Sequence, residues 1–284
     1  MPAYTAGMKS ALAAALLVLA PLVAFAQKDA AAKASNQPIA PFRIAGNLYY
    51  VGASDVTSYL IVTPKGLILI DGGFEETAPM VRRNIATLGF DYSRVRIILN
   101  SHAHLDHAGG IAAIRRETGA KFIASAADAP LLARGDRDDP QFGDRLTFPP
   151  AQPDQLIADG GRVTLGGTTL TAHLTPGHTP GCTTWTMTVR DRGKPLHVVF
   201  VGSASVPSEY RLAGNPRYPN AIADYRRTFA VLKSLPCDLF LGSHGVFFDL
   251  AGKLARHASF VDPNGYREFV AASEQRFEQR VAGK

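Results

Sequence analysis

A chain of 284 residues with a formal charge of +6 is long enough to bury one substantial core. Its cations are scattered, with pairs such as Arg82-Arg83 and Arg226-Arg227 but no long basic tract, which excludes the stripe of charge that nucleic acid requires. A mildly positive field of this kind suits a small anionic ligand instead, and two cysteines, Cys182 and Cys237, are too few for a disulfide framework.

Taken from the start, Lys9, the apolar run from Ala11 to Ala24 and the small-residue site Ala24-Phe25-Ala26 predict a secretory signal peptide over 1–26. The run falls short of a membrane span. The expectation is therefore a periplasmic chain with no membrane attachment after cleavage. Residues 27–40, rich in Ala and Lys, read as a flexible mature N-terminus, and 41–284 as a single domain. Apolar segments at 42–45, 48–51, 58–63 and 67–70, separated by Gly46-Asn47 and Pro64-Lys65-Gly66, predict an antiparallel meander. It ends at Asp71-Gly72-Gly73, where Asp71 is either a support for a metal ligand or a turn residue.

Met80, Val81, Ile85 and Leu88 fall at helical spacing over 77–88. A buried strand over 97–99 follows, and then Ser101-His102-Ala103-His104-Leu105-Asp106-His107. Three imidazoles and a carboxylate within six residues form a metal signature, because a borderline-soft divalent ion prefers nitrogen and carboxylate oxygen. Side chains two apart point the same way, so His102 and His104 can grip one ion. Asp106 and His107, past the turn, aim elsewhere and can serve a second.

Helix over 110–118, strand over 121–124 and helix over 126–133 continue an alternating α/β half. The segment 135–159 holds four prolines and reads as an irregular loop beside the cleft, with Phe142, Leu146 and Phe148 exposed. Strands are expected at 163–165, 168–174, 183–189 and 196–201, then a helix over 222–235, a strand over 238–241 and a polar helix from Gly265. His178, in a Pro- and Gly-rich turn after one strand, and His244, just past another, can complete the metal shells. The second half repeats the order of the first, which predicts two sheets face to face with helices outside, a four-layer αββα sandwich. His173, His197 and His257 read as core or surface residues, and Trp185 as core. The lack of an obvious exposed apolar helix or long edge strand predicts a monomer.

The His-x-His-x-Asp-His run at 102–107, with His178 and His244, resembles the metallo-β-lactamase superfamily. Tyr49-Tyr50-Val51-Gly52, Asp106-His107-Ala108-Gly109-Gly110, the turn from Thr175 to Gly181 and Val201-Gly202-Ser203 resemble the third subclass of class B β-lactamases. The resemblance implies two zinc ions, one held by His102, His104 and His178 and one by Asp106, His107 and His244. It further implies that Asp106 orients the nucleophile and that Ser203 and Ser205 hold a water or the substrate carboxylate. Relatives that cleave thioesters, lactones or phosphodiesters carry a bridging aspartate at position 203, and the first two lactamase subclasses a cysteine. The implied activity is hydrolysis of a β-lactam substrate by water that zinc makes nucleophilic. Two features depart from the subclass: Cys237 has no later cysteine to pair with, and the amino-terminal arm lacks a tryptophan.

Overall fold

The computed structural model describes residues 33–283, so the predicted signal peptide lies outside the described residues. One sheet runs β1 (Phe42–Ala45), β2 (Leu48–Tyr50), β3 (Tyr59–Thr63), β4 (Gly66–Ile70), β5 (Val95–Leu99), β6 (Lys121–Ser125) and β7 (Gln155–Ile157) in spatial order. It is antiparallel as far as β4 and parallel beyond. The second sheet holds β8 (Arg162–Leu165), β9 (Thr168–Leu174), β10 (Thr183–Asp191), β11 (Lys194–Val201) and β12 (Leu239–Gly242), antiparallel except for the β11–β12 pair.

The strand period of two decides what each face meets. In β4 every residue is buried, with Ile68 and Ile70 in the core shared with the second sheet and Leu67 and Leu69 in a separate core beneath helices. That outer core is closed by α1 (Ala78–Thr87), α3 (Ile111–Thr118) and α4 (Ala129–Arg134) through Val81, Ile85, Ile114 and Leu132; the short α2 (Leu105–Ala108) lies between β5 and α3. On the other side, α5 (Ala221–Ser234) and α7 (Pro263–Ala282), with α6 (Leu250–Ala255), pack Tyr225, Phe229, Tyr266 and Phe277 into the core that holds Trp185 and Phe200. Helix, sheet, sheet and helix are thus stacked in the expected αββα order, although the two sheets differ in size. Trp185 is fully buried and its indole Nε1 donates to Asn100 O, joining β10 to the start of the metal loop.

Four local expectations change. The segment 135–159 contains β7, which pairs with β6; of its three residues only Ile157 is buried, so the strand leaves almost no apolar pattern. Phe148 in that segment is buried, and Phe142 packs on His104 and Tyr210. Residues 33–40 are hydrogen-bonded to the loop at 53–56 through backbone groups that composition does not reveal. The C-terminal helix begins two residues early, at Pro263, because the Asp262 carboxylate accepts Gly265 N–H.

Candidate metal centre

All six sequence-predicted ligands meet where β5, β9 and β12 end. The chain leaves β5 through Asn100 and Ser101, passes His102, places His104 in extended backbone at the start of α2, and carries Asp106 and His107 within that short helix. Glycines make this approach possible: a Cβ on Gly110 would lie 2.3 Å from the Gly72 carbonyl oxygen. His102, His104 and His178 each offer one ligand atom, all within 4.8 Å of one another, and all three residues are buried. A second group lies beside it, with His107 Nε2 3.2 Å from His244 Nε2, 3.2 Å from Asp106 Oδ2, and the latter 3.4 Å from His244 Nε2.

The imidazoles are oriented by what their other nitrogen touches. His102 Nδ1 lies 3.0 Å from Ser101 Oγ, His178 Nδ1 3.0 Å from the Ser205 carbonyl oxygen, and His244 Nδ1 2.9 Å from Asp55 Oδ2. Each anchor leaves Nε2 to face the centre, the arrangement in which a metal-ligating histidine has its tautomer fixed from outside. Nε2 of His102 and of His104 is buried without a protein hydrogen-bond partner, which in a folded interior marks an atom intended for something other than protein. The residues therefore fit two metal ions side by side.

Protonation agrees with that reading. Burial, reinforced by the surrounding imidazoles, holds His102 and His178 well below the usual histidine range, and burial lowers His104 as well. Neutral imidazole is the ligating form. Burial alone would raise Asp106, but His107 and His244 outweigh it and hold the carboxyl well below its ordinary value. His244 goes the other way: burial opposes its charge, yet hydrogen bonds to Asp106 and Asp55 push it up to about 10. Metal entering the second group must displace that proton.

At this edge of the sheets, residues 51–244 match the sequence profile of the metallo-beta-lactamase superfamily. The chain belongs to the metallo-β-lactamase superfamily. Among solved structures it is similar to the native FEZ-1 metallo-β-lactamase from Legionella gormanii, at 44% identity and a TM-score of 0.85, over 87% of this chain and 97% of that one. It is also similar to BJP-1, a subclass B3 metallo-β-lactamase of Bradyrhizobium japonicum, at 40% identity and a TM-score of 0.82, over 88% and 96% of the two chains. Among curated relatives, a hydroxyacylglutathione hydrolase of Anaeromyxobacter dehalogenans (strain 2CP-C) is 31% identical over 127 residues, 45% of this chain and 40% of that protein. The chain thus spans less than half the length of the curated relatives it matches.

Within this superfamily site, position 203 carries no metal-ligating group. Ser203 Oγ and Ser205 Oγ lie 3.1 Å apart, and Ser205 Oγ is 3.2 Å from His178 Nδ1. Cys182 is a buried free thiol that burial holds above its ordinary range, with Sγ against the Ser203 carbonyl, and it stands outside both ligand groups. Asp71 takes the supporting role: its Oδ1 accepts Asn100 Nδ2 and Ser101 N–H, and its Oδ2 lies 3.6 Å from His107 Nδ1.

Four further aspartates were not legible as site residues. Asp55 holds His244, and Asp128 joins the two strand ends that supply the first three histidines. Asp136 and Asp139, with His104, bring ligand atoms to within 4.8 Å of one another. Neither oxygen of the fully buried Asp136 has a protein hydrogen-bond partner, and burial, followed by repulsion from Asp139 and Asp128, pushes its carboxyl up to about 9. A carboxyl raised in the folded state binds its proton more tightly there than in the unfolded chain, so it removes stability as pH rises from about 4 towards 9. Asp136→Asn is expected to abolish that slope. Chemical denaturation at pH 5 and pH 9 would show the wild type losing stability across the interval and the variant losing less; equal slopes would refute the assignment.

Proposed function

We propose that this protein hydrolyses the β-lactam ring of penicillins, cephalosporins and carbapenems with two zinc ions, and so confers antibiotic resistance. The observation that carries this reading is Ser203 at the end of β11, where neither a bridging carboxylate nor a thiolate joins the two complete ligand groups. The similarity to FEZ-1 and BJP-1 over nearly the whole of their chains supports it. His102, His104 and His178 would hold the first zinc, and Asp106, His107 and His244 the second.

Zinc in such a centre supplies a nucleophile at neutral pH by acidifying water, and polarises a carbonyl oxygen. The protein's own groups do the rest. Ionised Asp106 is placed to take the proton of the attacking water and return it to the ring nitrogen as the lactam C–N bond breaks. The hydroxyls of Ser203 and Ser205 offer donors to the carboxylate that β-lactams carry. Ser205 also reaches His178 Nδ1, so carboxylate binding and the first ligand group share one residue.

A second reading, hydrolysis of a thioester, is favoured by the partial similarity to hydroxyacylglutathione hydrolases. The two are separated by following carbapenem absorbance in the ultraviolet and hydroxyacylglutathione cleavage in parallel, with chelator and with added zinc. Carbapenem turnover that a chelator abolishes and zinc restores is the expected result. Thioester turnover alone, with two zincs bound, would replace the proposal. Export to the periplasm rests on the N-terminal pattern, and Gln27 as the first residue of protein purified from the periplasm would support it.

A further inference from the structure

Asp55 lies 189 positions from His244 in sequence, yet it is built around that histidine. Its Oδ2 is 2.9 Å from His244 Nδ1, its Oδ1 accepts Val246 N–H at 2.7 Å, and its carbonyl oxygen accepts Gly245 N–H at 2.7 Å. Val56 bridges His244 as an antiparallel pair, and Thr57 continues the ladder to Ser243 and Gly242. The loop at 55–57 is therefore a short extension that fixes both the backbone and the ring of one ligand.

The same loop is held from its other side by the amino-terminal arm. Ser35 O accepts both Asp55 N–H and Val56 N–H, at 2.9 and 3.1 Å, and Gln37 O accepts Ser54 N–H at 2.8 Å. Ser54 Oγ donates to Ala34 O and accepts Gln37 N–H. The arm is itself pinned where Thr77 Oγ1 donates to Asn36 Oδ1 at 2.7 Å. Ala34 to Gln37 thus form a strap across the back of the loop. No comparable strap bond reaches His102, His104 or His178 among the described residues.

We propose that Asp55 is the positioning residue of the second metal group, and that the strap at 34–37, by fixing the Asp55 loop, sets the affinity of that group independently of the first. This rests on the reading that Asp106, His107 and His244 hold a metal ion. A carboxylate on the outer nitrogen of a ligating imidazole fixes the tautomer and makes the ring more basic, and its loss typically costs about 10–100-fold in metal affinity. The asymmetry follows from geometry: His102 and His178 are anchored by Ser101 and Ser205, which belong to neither the strap nor the Asp55 loop.

The test is stepwise zinc titration of the full-length processed chain against a chromophoric chelator, with the melting temperature of the metal-free protein measured alongside. Asp55→Ala is expected to weaken the second zinc by about 10–100-fold and leave the first within about threefold. Asp55→Asn, which keeps one acceptor for His244 Nδ1–H, should recover part of the loss. The pair Ser54→Ala with Thr77→Val loosens the strap without touching a ligand and should weaken the second zinc in the same direction by a smaller factor. If the wild type binds fewer than two zincs, the underlying metal reading fails. If it binds two and Asp55→Ala and Asp55→Asn retain both affinities, or lose both equally, the positioning role is overturned. Should Asp55→Ala not fold, the asparagine and strap variants carry the decision, and an unchanged second affinity in both refutes the proposal.

Discussion

Replacing Asp128 with alanine is expected to destabilise the protein by about 3–5 kcal/mol and to lower its melting temperature by roughly 10 °C. The buried carboxylate accepts three hydrogen bonds from two distant segments: Ala103 N–H, at 3.0 Å, from the metal loop, and Thr179 Oγ1 and Gly181 N–H, each at 2.7 Å, from the turn that carries His178. Ser125 Oγ adds a bond to the Gly181 carbonyl. Alanine would leave these donors buried without an acceptor, and that desolvation penalty exceeds the net value of the bonds themselves. Burial pushes the Asp128 carboxyl up to about 6 in spite of its donors. The wild type therefore gives up stability as pH rises from about 4 to 6, a slope the variant should lack. Because Asp128 spaces His102 and His104 from His178, zinc affinity of the first group should fall with it. Calorimetric melting and zinc titration of the two proteins check both effects; a melting temperature within about 2 °C of wild type would show that the turn is held by other contacts.

The contrast between Asp128 and the histidines shows what a sequence can and cannot display. The run from His102 to His107 is legible because its ligand chemistry is concentrated in consecutive residues. His178 and His244 are legible because each follows an apolar strand and sits in a turn. The existence of strands β4 and β8 to β11 follows from their apolar runs and from glycine and proline punctuation. Asp55 and Asp128 are single aspartates in ordinary loops, and their meaning lies in partners 189 and 53 positions away. The strap at 34–37 is invisible for a different reason: it acts through backbone carbonyls, which every residue has. β7 escaped because a three-residue edge strand with two exposed side chains leaves no pattern to read. A search for aspartates placed two or three residues past a strand end would have raised Asp128, three residues after β6, without naming its partners; Asp55, five residues after β2 and four before β3, would have escaped it.

On the proposed function, Asp106→Asn is expected to lower β-lactam turnover by about 10²–10⁴-fold while leaving the fold in place. Two effects contribute, and they separate experimentally. The first is loss of an anionic ligand: Asp106 Oδ2 lies 3.2 Å from His107 Nε2 and 3.4 Å from His244 Nε2, and it is the only carboxylate of the second group. An amide would bind zinc more weakly there, and it would also remove the charge that, with Asp55, holds His244 protonated in the metal-free protein. The second is loss of the base. With its carboxyl held well below the ordinary range by His107 and His244 against the effect of burial, Asp106 is ionised at any working pH, whereas asparagine cannot accept a proton. If ligation were the whole contribution, saturating zinc would restore kcat to the wild-type value. If proton transfer adds to it, kcat should remain depressed at full metal occupancy, with the metal content measured on the same sample. The second outcome is expected, because Asp106 is the one carboxylate among the six proposed ligands, and on the proposed mechanism no other of them can carry the proton from water to the departing nitrogen while remaining bound. Full restoration by zinc would reassign Asp106 to metal binding alone.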